Sequence, residues 1–155
     1  MKLENIKNVC VKCEAKCCYF GGPTLTKREK ERVLKAGFKD YFIPCHEYFD
    51  IKTKKGKCPY LKNCLCSIHK ARPISCKIWP IFAKIIKGKR RYLLYNCPLI
   101  SYLSKKDILK LKKLASKLPD RFYELSWEGN MPAYILRKIK KFKPIPLDKW
   151  LKRMK

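Results

Sequence analysis

Ten cysteines, and the short spacings between them, constrain this 155-residue chain more than any other feature. Four sit within nine residues: Cys10, Cys13, Cys17 and Cys18. Four more fall between residues 58 and 76: Cys58, Cys64, Cys66 and Cys76. Cys45 lies between the two groups, and Cys97 follows alone. Soft thiolates at such spacings suit zinc or an iron–sulfur cluster. A bound metal would supply part of the folding free energy of a modest core.

Compartment decides whether such thiols are ligands or disulfides. The first residues, Met1-Lys2-Leu3-Glu4-Asn5-Ile6-Lys7, are charged and carry no apolar signal region. No apolar run approaches the ~20 residues that cross a bilayer. The expectation is a cytoplasmic protein with reduced thiols and no transmembrane segment. The absence of Gln, few Asn and many Lys and Ile resemble a hyperthermophile composition. Hyperthermophile cytosols tolerate disulfides, so a disulfide-stabilised basic protein stands as a third reading.

The charge calls for a partner. Thirty-nine Lys and Arg against twelve Asp and Glu leave a formal +27. Two four-thiolate centres, each about −2, would still leave the chain strongly cationic. A field of this size attracts RNA or other nucleic acid, anionic lipid or an acidic protein. The alternative is a lysine-rich thermophile surface.

The pattern along the chain predicts few regular elements. Residues 1–22 read as a Cys-rich opening segment that ends in a Gly21-Gly22-Pro23 loop. A helix is expected from Thr24 to Ala36, with a capping box on Thr26 and Glu29 and a stop at Gly37. Residues 38–57 read as irregular, with a short strand at Tyr48 to Ile51. The 58–76 segment has no sustained period and reads as a ligand loop. Ile81 to Ile86 and Tyr92 to Tyr95 predict a β-hairpin with a basic tip, Lys87 to Arg91. Ser104 to Leu118 is the strongest helix, with apolar Ile108, Leu111, Leu114, Ala115 and Leu118 on one face. Pro119 ends that pattern. Tyr134 to Phe142 reads as a helix, Pro144-Ile145-Pro146 as an extended link, and Asp148 to Met154 as a short turn. The fold expected is α+β: a small single domain with irregular Cys-rich loops, a β-hairpin and two or three helices. Residues 1–143 form the Cys-rich domain and 144–155 a basic C-terminal tail.

The first cluster reads C-x2-C-x3-C-C. Adjacent residues on extended backbone point to opposite sides, so Cys17 and Cys18 either serve different metals or only one is a direct ligand. The second cluster runs Cys58-Pro59-Tyr60-Leu61, Cys64, Cys66, His69, Arg72-Pro73 and Cys76. Together these motifs resemble the YkgJ-type CxxCxxxCC family, described as a zinc- or iron-chelating domain or as an Fe–S-cluster-containing protein. A related cysteine domain occurs in flagellin lysine N-methylases. The resemblance covers about residues 10 to 98. It implies that Cys10, Cys13, Cys17, Cys18, Cys58, Cys66, Cys76 and Cys97 are the metal ligands. Cys45 and Cys64 lie outside the pattern and read as small apolar residues, with Cys64 also placed to be a spare ligand. His69 reads as a neighbour of the ligands and His46 as structural or solvent-facing. Arg72 either stabilises thiolates or pairs with a carboxylate.

Single cysteines with proline beside them, Cys58-Pro59 and Cys97-Pro98, suit cluster ligation better than paired zinc knuckles. The cofactor expected is one or two 4Fe–4S clusters, with zinc as the alternative. No dinucleotide fingerprint, P-loop or nucleophile elbow is present. The order C-x2-C-x3-C reverses the radical-SAM spacing. An iron–sulfur protein in electron transfer or macromolecule modification is therefore the first reading, and a zinc-stabilised basic nucleic-acid-binding module is the second. Catalytic residues and oligomeric state are not specified.

Overall fold

The computed structural model describes residues 3–128, 137 and 139–154. Its elements are α-helices and small antiparallel sheets, an α+β arrangement rich in cysteine. Among the described residues no helix is long and apolar enough to cross a membrane.

The opening segment is more regular than expected. Helix α1 spans Leu3–Lys12 and carries Cys10 in its last turn. Leu3, Ile6 and Cys10 fall at helical spacing, but ten residues with a cysteine motif at the end give only a weak periodic signal. Glu14 and Ala15 adopt φ of 55° and 49°, and the Ala15 N–H donates to the Cys10 carbonyl at 2.8 Å. This left-handed turn stops the helix and starts a 3-10 segment, Lys16–Tyr19, that holds Cys17 and Cys18. The extended backbone assumed for that pair is therefore absent.

Helix α2 spans Lys27–Lys35. Thr26 accepts from the Glu29 N–H, and Glu29 accepts from the Thr26 N–H, so the capping box forms as expected. The helix starts later than Thr24 because Leu25 is extended and exchanges backbone hydrogen bonds with Phe49 at 2.7 and 2.8 Å. Gly37 takes φ +80° just past the end, as expected of a C′ glycine.

Three hairpins follow. Strands β1 (Phe42–Cys45) and β2 (Tyr48–Ile51) pair across a His46-Glu47 turn. Only β2 was legible in the pattern, because Pro44 inside β1 argues against a strand unless it lies at an edge. Strands β3 (Leu61–Lys62) and β4 (Leu65–Cys66) pair around Asn63 and Cys64, which take φ of 47° and 59°. Such a two-residue turn gives the expected ligand loop a rigid frame. The one-turn helix α3, Ile74–Lys77, then presents Cys76. Strands β5 (Ile81–Ile86) and β6 (Lys89–Leu94) form the predicted hairpin. Its tip is Lys87-Gly88 alone; Lys89, Arg90 and Arg91 belong to β6, because Ile86 pairs with Lys89.

A 3-10 segment, Pro98–Tyr102, leads from Cys97 to helix α4, Lys105–Ala115. Its capping box joins Ser104 and Asp107 as expected. Helix α5, Asp120–Glu128, was not expected. Pro119 ends one helical pattern but also precedes the first turn of the next, a position where its missing N–H costs nothing. Strand β7, Ile145–Pro146, pairs with β6, and helix α6, Leu147–Arg153, packs behind it with Leu147 fully buried. Most of the helix expected over Tyr134 to Phe142 lies outside the described residues.

Two apolar cores flank the cysteines. The larger joins β5, β6, α4 and α5 through Ile81, Leu94, Ile108, Ala115 and Phe122. The smaller joins α2, β1 and β2 to the second Cys loop through Leu25, Val33, Ile51, Tyr60 and Ile68. A third patch stacks Trp79 on Tyr95, with Phe20 and Phe142 edge-on to each other beside them.

Candidate metal centre

Cysteines distant in sequence converge because local elements aim them at one cavity. The Cys58 N–H donates to the Cys18 carbonyl at 2.9 Å, which ties the two Cys clusters together. Helix α1 packs against β4 and against the 3-10 segment after Cys97. The cavity measures about 420 Å³, and Cys10, Cys17, Cys18, Cys58, Cys66 and Cys76 line it.

The charges of these thiols show which ones face each other. Burial pushes the Cys58 thiol up to about 12, and the charges of Cys18 and Cys66 add to the push. Burial likewise raises Cys66, with Cys18 beside it. Cys76 is raised well above its ordinary value by burial, then by Cys18, Cys66 and Cys58. Every pair among Cys18, Cys58, Cys66 and Cys76 is therefore coupled by charge. A second set is looser. Burial raises Cys10 to about 11, with Cys13, Cys18 and Cys97 contributing. Burial also raises Cys97, with Cys13 beside it. Cys17 is raised first by the hydrogen bond it donates to Cys18, then by burial, and by Cys97 and Cys76 among its neighbours. That bond lowers Cys18.

All ten cysteines are free thiols. Among the described residues no three Cys, His, Asp or Glu donors stand at the spacing of a single-ion site. The thiols face one another across a space instead of closing into one tetrahedron.

Cationic and polar groups edge this space. Arg72 lowers Cys10, Cys66 and Cys76 by its charge. Among the described residues no carboxylate pairs with it, so of the two roles open to Arg72 the thiolate-facing one is the role with contacts. His69 Nε2 is buried with no hydrogen-bond partner among the described residues. Burial, then Arg72 and Lys7, lowers the His69 pKa, which keeps the imidazole neutral. The Trp79 N–H is buried without a full hydrogen bond among the described residues, yet it stands near enough to the Cys97 sulfur to favour its ionised form.

The two cysteines outside the motif differ. Cys64 sits at the tip of the β3–β4 turn and lines the cavity. Cys45 stands apart in β1, where burial and the charges of Asp50 and Glu47 raise it. Sequence reasoning missed two supports. Trp79 lies outside the cysteine motifs, and no spacing rule marks an indole that faces a thiol. Glu29 was read only as a cap. It is buried, and its second oxygen accepts from the Ile74 N–H at 2.6 Å, which anchors the helix carrying Cys76 to α2.

A family model named CxxCxxCC, described as a zinc- or iron-chelating domain, matches residues 9–115. The chain belongs to this family. The CxxCxxCC domain here has three residues, Glu14-Ala15-Lys16, between its second and third cysteines. A similar curated protein is an uncharacterized protein of Methanocaldococcus jannaschii, 31% identical over 97 residues, covering 56% of this chain and 52% of that protein. The chain spans about half the length of that relative. No solved structure matches the CxxCxxCC chain.

Proposed function

We propose that this CxxCxxCC protein is an iron–sulfur protein with two 4Fe–4S centres. Cys18, Cys58, Cys66 and Cys76 would hold one centre, and Cys10, Cys13, Cys17 and Cys97 the other. The observation that carries this reading is the first quartet, whose four thiols line one cavity and are coupled pair by pair through their charges. Four half-buried thiolates repel unless a metal neutralises them. Zinc, with bonds of about 2.3 Å, draws four sulfurs into a closed tetrahedron. A cavity of about 420 Å³ between the thiols offers the room of a cluster, where each thiolate takes its own iron.

When bound, such a cluster supplies one-electron redox chemistry. The chain's own residues would set its charge environment. Arg72 stands beside thiols of both quartets and offsets their negative charge. Neutral His69 adds no cation, and Trp79 offers an N–H to Cys97. Two centres joined through adjacent residues 17 and 18 suit electron transfer, with modification of a macromolecule as the alternative use. Ten free thiols suit a reducing, cytoplasmic setting.

Paired substitutions test the partition. Cys58→Ser with Cys66→Ser should remove about half the iron and sulfide, and so should Cys10→Ser with Cys13→Ser. Zinc in place of iron, or loss of all metal from either pair alone, would count against two independent clusters.

A further inference from the structure

The basic surface carries an inference that does not depend on which metal is bound. An ion-pair network needs both signs, and this chain has thirty-nine basic against twelve acidic side chains. Among the described residues the basic side chains in ion pairs are Lys30, Arg32, Arg90, Lys112 and Arg121. Most of the positive charge is thus not neutralised within the fold, and a thermophile ion-pair surface does not account for it.

The charge is organised on α4. Lys106, Lys110 and Lys113 are exposed and fall at i, i+4 and i+7, one face of the helix over about 10 Å. With Lys105 and Leu109 they line a shallow surface depression. Asp107, whose charge reaches Lys110, is held by Ser104 through its N–H and hydroxyl at 3.1 and 2.7 Å. Lys105 Nζ donates to the Met154 carbonyl at 2.7 Å, so the end of the basic helix α6 adjoins this face. Lys110 also lines the thiol cavity, where the two surfaces meet.

We infer that the lysine face of α4 binds the phosphate backbone of a nucleic acid, laid past the cavity that holds the thiols. The chemistry favours this partner. A membrane-surface helix needs its apolar face free for lipid, whereas Ile108, Ala115 and Leu118 are buried in the core. Other exposed large apolar residues, Val11, Ile43, Ile86 and Tyr102, sit on separate elements. Protein interfaces are depleted in lysine and built on aromatic anchors, which this depression lacks. Phosphates of RNA or DNA would make the same contacts.

The test uses the full metal-loaded chain and fluorescent probes: a single-stranded RNA, a duplex DNA of similar length, and vesicles containing phosphatidylserine. Lys106→Gln, Lys110→Gln and Lys113→Gln together form the test variant. Lys27→Gln, Lys35→Gln and Lys52→Gln, exposed and around the other core, remove equal charge as the control. The α4 variant should bind RNA, DNA or both at least about tenfold more weakly, with a salt dependence shallower by about two to three, while the control changes far less. The probe that is bound more tightly identifies the source of the phosphate chain. No nucleic-acid binding at low salt, an equal loss in both variants, or an α4-dependent loss confined to vesicles would overturn the inference.

Discussion

Cys17 donates a hydrogen bond to the Cys18 sulfur, yet the two neighbours differ in the other thiols they face. The charge of Cys18 reaches Cys58, Cys66 and Cys76, while Cys17 feels the charges of Cys97 and Cys76. The 3-10 turn makes this possible, because it holds both sulfurs on the cavity side instead of sending one outward. Contacts Cys17–Cys76 and Cys10–Cys18 cross between the sets, so the two groups of thiols adjoin.

The groups around each thiol separate proposed ligands from bystanders. Cys76→Ser should lower bound metal to about half, because Cys76 faces three other thiols. Cys45→Ser should leave metal content unchanged, because the charges around Cys45 are carboxylates. Metal analysis of the purified variants checks both outcomes.

Arg72 should matter without being a ligand. Arg72→Met removes the cation that favours ionised Cys10, Cys66 and Cys76. Metal affinity should fall about 10- to 100-fold, the usual cost of losing a supporting group around a metal site. Arg72→Lys should recover part of the loss. Chelator competition measures all three proteins.

Glu29 links a helix cap to the site. Its carboxylate accepts from Thr26 and from the Ile74 N–H, and it is buried. Glu29→Ala should cost about 3 kcal/mol in urea unfolding, since buried donors lose a charged acceptor. Thr26→Ala, which removes only the cap, should cost about 1 kcal/mol. The Glu29 variant alone should also expose Cys76 to thiol reagents.

Proton linkage gives opposite trends for the two states. Burial lifts the Cys58 thiol to about 12 and the Cys10 thiol to about 11 in the folded metal-free chain. The unfolded thiols titrate at about 8.5. Raised folded values stabilise below the unfolded pKa, and that stability is lost as pH rises toward the folded values. The metal-free protein should therefore unfold at lower urea at about pH 10 than at about pH 7.5. Metal affinity should rise over the same range, because binding displaces protons. Urea titrations and chelator competition at both pH values check the signs.

The close approach at Gly22 is a structural prediction apart from the metal. A Cβ there would lie 2.5 Å from the Ile51 Cβ and 2.7 Å from its carbonyl oxygen. Gly22→Ala should destabilise by about 1–3 kcal/mol, the range for overpacking, because β2 must move. Thermal unfolding measures it.

Both capping boxes and the β5–β6 hairpin were legible because their signals are local: Thr26 and Glu29, Ser104 and Asp107, and two β-rich runs. The cysteines were legible as a group through spacing. Helix α5 was not, since Pro119 marks an end and a beginning with the same residue. Strand β1 was hidden by Pro44. Arg72 was legible as one of two alternatives, whereas the thiol-facing role of Trp79 depends on its contact with Cys97, far off in sequence, which no local pattern encodes.

Purification of the full chain without oxygen, followed by its visible spectrum and by iron, sulfide and zinc analysis, tests the central claim most directly. Two clusters predict a brown protein with broad visible absorption and equal iron and acid-labile sulfide, about eight of each per chain. A colourless protein with stoichiometric zinc and no sulfide would contradict it.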